Sequence, residues 1–598
     1  MQLQFRKFVI FLNIQEFYKG LSFNSYKWHG AHQTENGIVF RVYAPNAVNV
    51  GVIGDFNDWQ TTAMNRIYDG NFFELNVNNA KVGDRYKFRV VEKSGKTLDR
   101  CDPYGFHTEN NSQHASVIAN STYKFTDDKW MQTRTDGKTQ AVNIYEIHLG
   151  SWKDSNHTYK TIAKPLAEYL KKSGFNYVEF MPLCEYPVDE SWGYQAFGFF
   201  SPTSRYGTPD ELKYLIDTLH RANIGVILDF APVHFAVDDF GLCKFDGTAL
   251  YEFPSDDIAY NEWGSKNFNH SRGEVRSFLQ SAIMYWLKEF HFDGIRMDAI
   301  RNMIYWQGDT NRGINAGAVE FLKCLNFNIK REMPGVMLIA EDSTAYEGVT
   351  KSVSDGGLGF DYKWNIGYMN DTLSYFKKGS EDRLKSYHEL TFSMLYYYSD
   401  RFLLPFSHDE VVHGKATILQ KMNGQYEQKF PQARAMYLYM FTHPGKKLNF
   451  MGNEFGQLRE WDESRPQDFD MLKYPNHDSF YRFFRDICHI YLENSALYER
   501  DYEFDGFEWV DCNPNNCVYS FLRKSDNQTL LAVLNFADEI CKDYELKINA
   551  KSLNLLIDSN FDIYGGDIVA KNCNILSSNG KFTLDLEAFS GKLFEVII

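Results

Sequence analysis

The sequence predicts a multidomain protein in which a central (β/α)8 barrel (TIM barrel) is flanked by an N-terminal β-sandwich and a C-terminal all-β domain. A chain of 598 residues has room for several domains at ~150 residues each. Short apolar strands alternate with amphipathic helices in its middle part, whereas both ends show strand-like alternation alone. No glycine-rich phosphate loop follows the early strands, which disfavours an open dinucleotide-binding sheet.

The N-terminal part is divided into a predicted leader segment, residues 1–25, and a predicted β-sandwich, residues 26–125. Three runs in the second range alternate as short antiparallel strands do: Gly37–Tyr43, Val48–Ile53 and Tyr86–Val91. Turn residues separate these runs. In the segment Gly54–Trp59, the indole either packs on the core or stacks on a ligand.

Residues 126–500 are predicted to form the barrel. Seven apolar runs are strand candidates: Val142–His148, Tyr177–Pro182, Gly225–Phe230, Gly294–Asp298, Gly335–Glu341, Phe402–Phe406 and Lys447–Met451. An eighth strand fits near Phe360–Trp364. Thr208 and Glu211 have the spacing of a capping box and predict the start of a helix. Residues 501–598 return to strand-like alternation and are predicted to form the C-terminal all-β domain.

Charge and composition argue against several classes of protein. A net charge of −15 does not suit a surface that neutralises phosphates or anionic lipid. The apolar run Phe8–Leu12 is far shorter than the ~20 residues of a membrane-spanning helix. Arg6 and Lys7 precede it, but no small-residue cleavage pattern follows, which disfavours a signal peptide. The nine cysteines lack metal-type pairs, as expected for free thiols in a reducing cytoplasm.

Acidic groups are concentrated at the predicted strand ends, where a barrel of this type has its active face. The polar groups at or just after these ends are Asp229, His234, Arg296, Asp298, Glu341, His408 and Asp409. Arg296 and Asp298 are two residues apart and face the same side of a strand. We expect the guanidinium to keep this carboxylate ionised, as a nucleophile requires. Glu341 and Asp342 are adjacent, so only one of them points inward.

Carboxylates and histidines on one rim suit the chemistry of a glycosidic bond. One carboxylate attacks the anomeric carbon, another protonates the leaving oxygen, and a third stabilises the charged sugar ring. Any single acid could instead be a solvated charge on a loop. Such groups follow several strands in succession, however, and this disfavours the alternative. A metal centre would need several ligands in His-x-His or Glu-x-x-His spacing, but beside these acids only Glu410 and His413 have it, which disfavours a metal centre. The sequence also lacks the Gly-x-Ser-x-Gly elbow of serine hydrolases.

Several stretches resemble a known family. The resemblance to the α-amylase clan of glycoside hydrolases is carried by Val226–Phe235, Asp293–Ala299, Leu338–Thr344 and Leu404–Lys415. Within that clan, the resemblance to 1,4-α-glucan (glycogen or starch) branching enzymes is carried by Ser191–Gln195, Pro202–Pro209, Phe245–Tyr251, Met451–Gln457 and Arg459–Trp461. It covers nearly the whole chain and implies that the front sandwich is of the carbohydrate-binding type. Asp342 departs from the family pattern, in which a second Glu is common.

Carried over residue by residue, the resemblance implies that Asp298 is the nucleophile, Glu341 the acid/base and Asp409 the third carboxylate. The substrate-binding residues that it implies are Tyr194, Asp229, His234, Arg296 and His408. The implied enzyme cleaves an α-1,4 bond and transfers the oligosaccharide to a glucose 6-hydroxyl through a covalent glycosyl-enzyme. It works in glycogen or starch biosynthesis, and the resemblance implies no metal and no cofactor.

Two other functions stay open at this point. An α-glucan hydrolase of the same clan, debranching or trehalose-forming, would carry the same acids, and a non-catalytic glycan-binding protein would keep the fold. The expected partner is an α-1,4-glucan such as amylose, glycogen or a starch-like polymer. We expect a cytoplasmic monomer without nucleic-acid or membrane partners.

Overall fold

The computed structural model describes residues 14–110, 113–153, 157–513, 515–571, 573–578 and 580–598. The described chain forms a closed eight-stranded barrel with antiparallel sheets before and after it in the sequence, which confirms the predicted fold class. The run Phe8–Leu12, with Arg6 and Lys7 before it, lies outside the described residues. None of the described helices is both long and apolar enough to cross a membrane.

Two antiparallel sheets make up the N-terminal region. In the strand Arg85–Val91 every second side chain is buried, as expected for a strand with one face on a core. One sheet has the strand order Gly30–Thr34, Gly37–Tyr43, Phe72–Val77 and Asn65–Ile67. The other has the order Thr62–Ala63, Asn49–Gly54, Arg85–Val91 and Thr97–Arg100, with Ser116–Val117 also paired to Arg85–Val91.

Trp59 lies at the surface of this region rather than in its core. Its backbone is left-handed, with φ 58°. The indole nitrogen donates to Asp55 at 3.1 Å, and the Arg85 guanidinium lies 5.8 Å from the ring centre. The side chain is half-buried among these polar neighbours. Part of the ring is therefore accessible, and contact with a sugar stays a prediction.

Eight parallel strands close the barrel and are numbered β1–β8 along the chain. They are β1 (Asn143–Ile147), β2 (Tyr177–Phe180), β3 (Gly225–Phe230), β4 (Gly294–Met297), β5 (Met337–Ala340), β6 (Tyr362–Trp364), β7 (Phe402–Phe406) and β8 (Lys446–Phe450). Strand β8 pairs with β1 and closes the ring. The seven predicted strands and the eighth near 360–364 all occur in it.

Helices connect the strands around the outside of the barrel. The long ones are Tyr159–Ser173, Pro209–Arg221, Gly273–Glu289, Ala316–Glu332, Ile366–Lys377, Tyr426–Thr442 and Pro475–Glu493. Shorter ones are Asp128–Thr133, Asp256–Ala259, Arg301–Ile304, Ser380–Lys385, His388–Thr391, Ser393–Tyr396 and Ile418–Lys421. The predicted capping box is present: the Thr208 hydroxyl accepts from the Glu211 N–H at 3.3 Å, and the Glu211 carboxylate accepts from the Thr208 N–H at 3.0 Å.

The inside of the barrel has an apolar lower layer and a charged upper layer. The lower layer contains Val142, Ile144, Tyr177, Ile227, Met337, Ile339, Tyr362, Trp364, Leu403 and Leu448. Because alternate residues of a strand face the same side, the side chain two positions further along also points inward. In four strands that side chain is an acid: Glu146, Glu179, Asp229 and Glu341. The strand pattern therefore collects carboxylates at the carboxyl-end mouth.

The C-terminal domain packs two sheets against each other. The larger sheet has the order Phe507–Asn513, Val518–Lys524, Thr529–Asn535, Ser590–Ile597, Ser552–Asp558 and Asn574–Leu576. The smaller sheet pairs Cys541–Lys547 with Lys581–Leu586. Buried charges join this domain to the barrel, because Asp501 contacts Arg523 at 2.6 Å and Lys446 of β8 at 3.0 Å. The junction is therefore held by a buried ion triad.

A buried histidine ties together the amino-terminal end of the barrel. His220, in the helix Pro209–Arg221, has Nδ1 2.7 Å from Asp127 and Nε2 2.9 Å from Asp293. Asp293 also accepts the backbone N–H of Val226 in β3. Burial disfavours the protonated ring, but the two carboxylates outweigh it and raise the pKa of His220 to about 9. A positively charged ring therefore bridges the two acids.

We expect this bridge to make the folded state less stable as the pH rises. An unfolded histidine has a pKa of ~6.5, so the stabilisation is complete below that pH and is lost as the pH rises through about 9. It amounts to about 3 kcal/mol of the free energy of unfolding. Denaturant unfolding over this range should show a falling stability for the wild type and a flatter curve for His220→Gln. Parallel curves would contradict the bridge.

Candidate active site

Arg296 of β4 connects three carboxylates at the mouth of the barrel. Its Nη1 lies 2.6 Å from Asp229 and 2.8 Å from Asp298, and its Nη2 lies 2.9 Å from Glu341. The guanidinium is buried and lies over the ring of Trp364, 4.2 Å from its centre. The side chains of Asp298 and Glu341 remain 15% and 21% exposed, so both are accessible from the mouth. The strand ends of β3, β4 and β5 thus meet around one cation.

The electrostatics of this cluster act strongly on Asp298. Burial raises its pKa well above the usual range; Arg296 opposes the rise, and the nearby Glu341 and Asp229 add to it. The expectation that Arg296 keeps Asp298 ionised is therefore incomplete, because Asp298 and Glu341 compete for the same guanidinium. Two carboxyl groups that lie this close to each other tend to keep one proton between them.

Tyr194 and His408 extend the cluster on its other side. The Tyr194 hydroxyl donates to Asp229 at 2.6 Å and lies 3.4 Å from Nε2 of His408. The two rings are stacked, with centres 5.8 Å apart. Of the five predicted substrate-binding residues, Tyr194, Asp229, Arg296 and His408 are thus brought together.

Asp409 follows His408 in the turn after β7 and faces the mouth. Its carboxylate lies 3.5 Å from Nε2 of His408, and its side chain is 51% exposed. Desolvation at the mouth opposes ionisation, but the positive charges of His408, Arg296 and Lys415 outweigh it and lower the pKa of Asp409. Asp409 therefore presents a negative charge to any ligand that enters.

His234 lies to one side of the hydrogen-bonded cluster around Arg296. Its Nδ1 is 2.6 Å from the Ser265 hydroxyl, and its ring stacks on Trp263 with centres 5.2 Å apart. Burial lowers the pKa of His234 to about 4, so the ring is neutral. Within the described residues, no hydrogen bond joins His234 to the Arg296 cluster. Trp263 is 44% exposed, which leaves an aromatic face open beside it.

Two acids of the barrel interior were missed by the sequence analysis. Glu146 of β1 lies 2.5 Å from Nδ1 of His408 and also accepts its backbone N–H at 3.0 Å. Glu179 of β2 is paired in register with Glu146. The signal was available, since an acid inside an apolar strand run needs a buried partner or a proton. In the sequence alone, both look like ordinary strand residues.

Asp342 points away from the mouth, unlike its neighbour Glu341. It is buried and lies 2.8 Å from Nζ of Lys363 in β6. It also accepts the backbone N–H of Thr344 at 3.0 Å. Asp342, which departs from the family pattern, thus forms a buried ion pair. This pair fixes the chain directly after Glu341.

Two family models match the outer parts of the chain. Residues 29–105 match carbohydrate-binding module 48 (isoamylase N-terminal domain). Residues 509–596 match the alpha amylase C-terminal all-beta domain.

Curated relatives extend the similarity across the barrel. The chain is 43% identical over 564 residues to the 1,4-alpha-glucan branching enzyme of Fusobacterium nucleatum, covering 92% of each chain. It is 41% identical over 569 residues to that of Bacillus subtilis, covering 92% of this chain and 91% of the relative. The chain belongs to the 1,4-alpha-glucan branching enzyme family. A third branching enzyme, from Geobacillus stearothermophilus, is 42% identical over 90% of this chain and 87% of its own.

Among solved structures, this branching-enzyme chain is similar to one from Salmonella typhimurium assigned as an alpha amylase. The TM-score is 0.73, and the match covers 95% of this chain and 99% of the other. At 18% sequence identity, this similarity supports the fold alone.

The family-specific stretch Ser191–Gln195 contributes an aromatic rim to the site. Trp192 is half-buried and stacks on His413, with ring centres 5.3 Å apart. Its indole nitrogen donates to Glu463 at 3.1 Å, and its ring lies 4.8 Å from that of Trp461. Two stretches of the branching-enzyme family that are distant in sequence therefore meet beside His408.

We expect Arg296→Lys to lower glucan turnover by about 100-fold, because a lysine ammonium cannot contact both sides of the cluster as a guanidinium does. The measurement is kcat/KM on amylose, with circular dichroism as a check of folding. Arg383→Lys is the matched control, since Arg383 is equally buried but lies in the helix Ser380–Lys385. Equal activities for the two variants would contradict the role of Arg296.

Proposed function

We propose that this chain cleaves an α-1,4 bond in a linear glucan and transfers the released oligosaccharide to a glucose 6-hydroxyl, which forms an α-1,6 branch. The observation that carries the proposal is the Arg296 cluster, in which Asp298 and Glu341 share one guanidinium at the mouth of a barrel of the branching enzyme family. Two carboxyl groups with one proton between them are what a retaining double displacement requires.

In the first step, the Asp298 carboxylate attacks the anomeric carbon of the bound glucan. The bond between this carbon and the glycosidic oxygen breaks, and the proton of Glu341 passes to that oxygen as the leaving chain departs. The product is a glycosyl ester on Asp298. The shared guanidinium supports both roles, because it donates a hydrogen bond to one carboxyl oxygen of each acid.

In the second step, Glu341 acts as a base. It takes the proton from the 6-hydroxyl of an acceptor glucose, and the oxygen attacks the anomeric carbon and displaces Asp298. Both acids return to their starting state, and one α-1,4 bond has been exchanged for one α-1,6 bond. Water in place of the acceptor would give hydrolysis, so transfer requires that an acceptor chain occupies the site.

The remaining residues are proposed to hold the glucose that is attacked. Asp409 offers a carboxylate to the sugar hydroxyls, and His408 offers a ring N–H beside it. Tyr194 presents a flat ring, and sugar C–H faces pack well on such surfaces. Asp229 and His234 complete the proposed set, His234 with the exposed Trp263 ring next to it.

We further infer that the protein is a cytoplasmic monomer that binds neither nucleic acid nor membranes. The net charge of −15 supports the absence of phosphate-rich partners. All nine cysteines lie in the described part of the chain and are free, which supports a reducing compartment. Size-exclusion chromatography with light scattering tests the monomer.

The activity is tested by incubating the protein with amylose and following both iodine colour and reducing ends. Branching shortens the linear chains that bind iodine without net release of reducing ends, so we expect colour loss alone. Proton NMR of the product should show new α-1,6 anomeric signals. Reducing ends that rise with the colour loss would instead indicate a hydrolase, and an unchanged amylose a glycan-binding protein.

We expect Asp298→Asn to abolish branching, because the amide cannot form the glycosyl ester. The rate should fall by at least about 10⁴-fold, as it does when a catalytic nucleophile is lost. Retention on an amylose affinity column should persist, since the N-terminal region is unchanged. Measurable turnover by a pure, folded sample of this variant would show that Asp298 is not the nucleophile.

A further inference from the structure

Glu146, near the end of β1, holds His408 at two points. One of its carboxylate oxygens lies 2.5 Å from Nδ1 of the ring, and the other accepts the backbone N–H of His408 at 3.0 Å. Both residues are buried, with side-chain exposures of 0% and 3%. The contacts reach from β1 to the turn after β7. They therefore fix the ring and the main chain of His408 together.

The other ring nitrogen of His408 also faces acceptors. Its Nε2 lies 3.4 Å from the Tyr194 oxygen and 3.5 Å from Asp409. The Tyr194 hydroxyl donates its own proton to Asp229, so towards Nε2 it acts as an acceptor. A histidine that donates from both nitrogens is an imidazolium. The geometry around the ring thus fits the charged form.

We propose that Glu146 is a positioning residue of the active site, which holds His408 as an imidazolium so that its Nε2–H is directed at the glucose unit beside Asp409. The inference rests on the proposed function and deepens it. Glu146 acts on the glucan through His408, without contact to the sugar. Loss of its charge would leave the fold in place but weaken the hydrogen bond that His408 offers to the substrate.

Charged and titratable groups from the packed elements lie near His408. They are Glu146 and His148 of the β1 segment, Glu179 of β2, Asp229 of β3, Arg296 of β4, Tyr194 of the loop after β2, and Asp409. Burial disfavours the imidazolium, but Glu146 and then Asp409 outweigh it and raise the pKa of His408 to about 9, against the opposing charge of Arg296. Glu146 is the strongest of the favourable neighbours.

Strand β2 offers a matched control for Glu146. Glu179 has the same register, is fully buried, and neither of its oxygens has a hydrogen-bond partner in the described part of the chain. Burial, with the nearby Asp229 and Glu146, raises the pKa of Glu179 well above its usual range, which favours its neutral form. A change to Gln therefore removes neither a charge nor a hydrogen bond at Glu179, but removes both at Glu146.

The experiment compares the wild type, Glu146→Gln and Glu179→Gln on amylose across pH. For Glu146→Gln we expect kcat to fall by about 2-fold near pH 7, about 10-fold near pH 8 and up to about 100-fold at higher pH. The alkaline limb of its kcat–pH profile should move to lower pH by about two units, because the His408 ring loses its proton at a lower pH. The loss of kcat relative to the wild type should shrink towards about pH 5.5. Glu179→Gln should follow the wild-type profile.

Two results would overturn the role of Glu146. One is a Glu146→Gln variant that keeps the wild-type pH profile, and the other is an equal loss in Glu179→Gln, since the removal of any buried acid would then suffice. Should Glu146→Gln not fold, Glu146→Asp decides, because it retains the charge and should keep the alkaline limb in place. If the wild type releases reducing ends instead of forming branches, the proposed function is contradicted. The three proteins can then be compared by their rates of reducing-end release, and this comparison still tests the role of Glu146.

Discussion

The buried guanidinium of Arg296 neutralises a barrel mouth that is otherwise lined by acids, and the other groups of the site are placed with respect to it. Carboxylates taken out of water cost several kcal/mol each unless a partner compensates them. The planar fork of Arg296 meets Asp229 and Asp298 with one nitrogen and Glu341 with the other. Trp364 beneath the guanidinium sets the plane in which these contacts are made. The acids stay close together because this one cation holds them.

The mouth of the barrel contains a second cation, His408, which lies among other acids than Arg296 does. Arg296 lies with Asp298 and Glu341, the acids proposed to react, whereas His408 lies with Glu146 and Asp409, on the side proposed to hold the sugar. Tyr194 and Asp229 join the two halves through hydrogen bonds. Each half has a positive charge next to at least two acids, so every one of these acids has a cation close by. The alternation of strand residues supplies both halves from the same layer of the barrel.

Most of the fold and part of the site follow from local sequence patterns. Strands β3 and β7 begin and end where the apolar runs predict, and the helix after Thr208 starts at its capping box, because neighbouring residues decide these features. Glu146 was missed because its partner His408 is 262 residues away and becomes a neighbour only when the barrel closes. Among the residues that the structure describes, Glu179 has no hydrogen-bond partner that a motif could reveal. The roles of the acids and the domain boundaries at 25, 125 and 500 stay predictions.

The central claim is that Asp298, held by Arg296, forms a covalent bond to the glucan. The direct measurement is to trap this intermediate with a fluorinated α-glucosyl fluoride, which forms the ester faster than the ester breaks down, and to locate the added mass by peptide mass spectrometry. We expect a single label on Asp298, formed much more slowly in Arg296→Lys. A label on Glu341 or Asp409, or turnover of the reagent without any label, would contradict it.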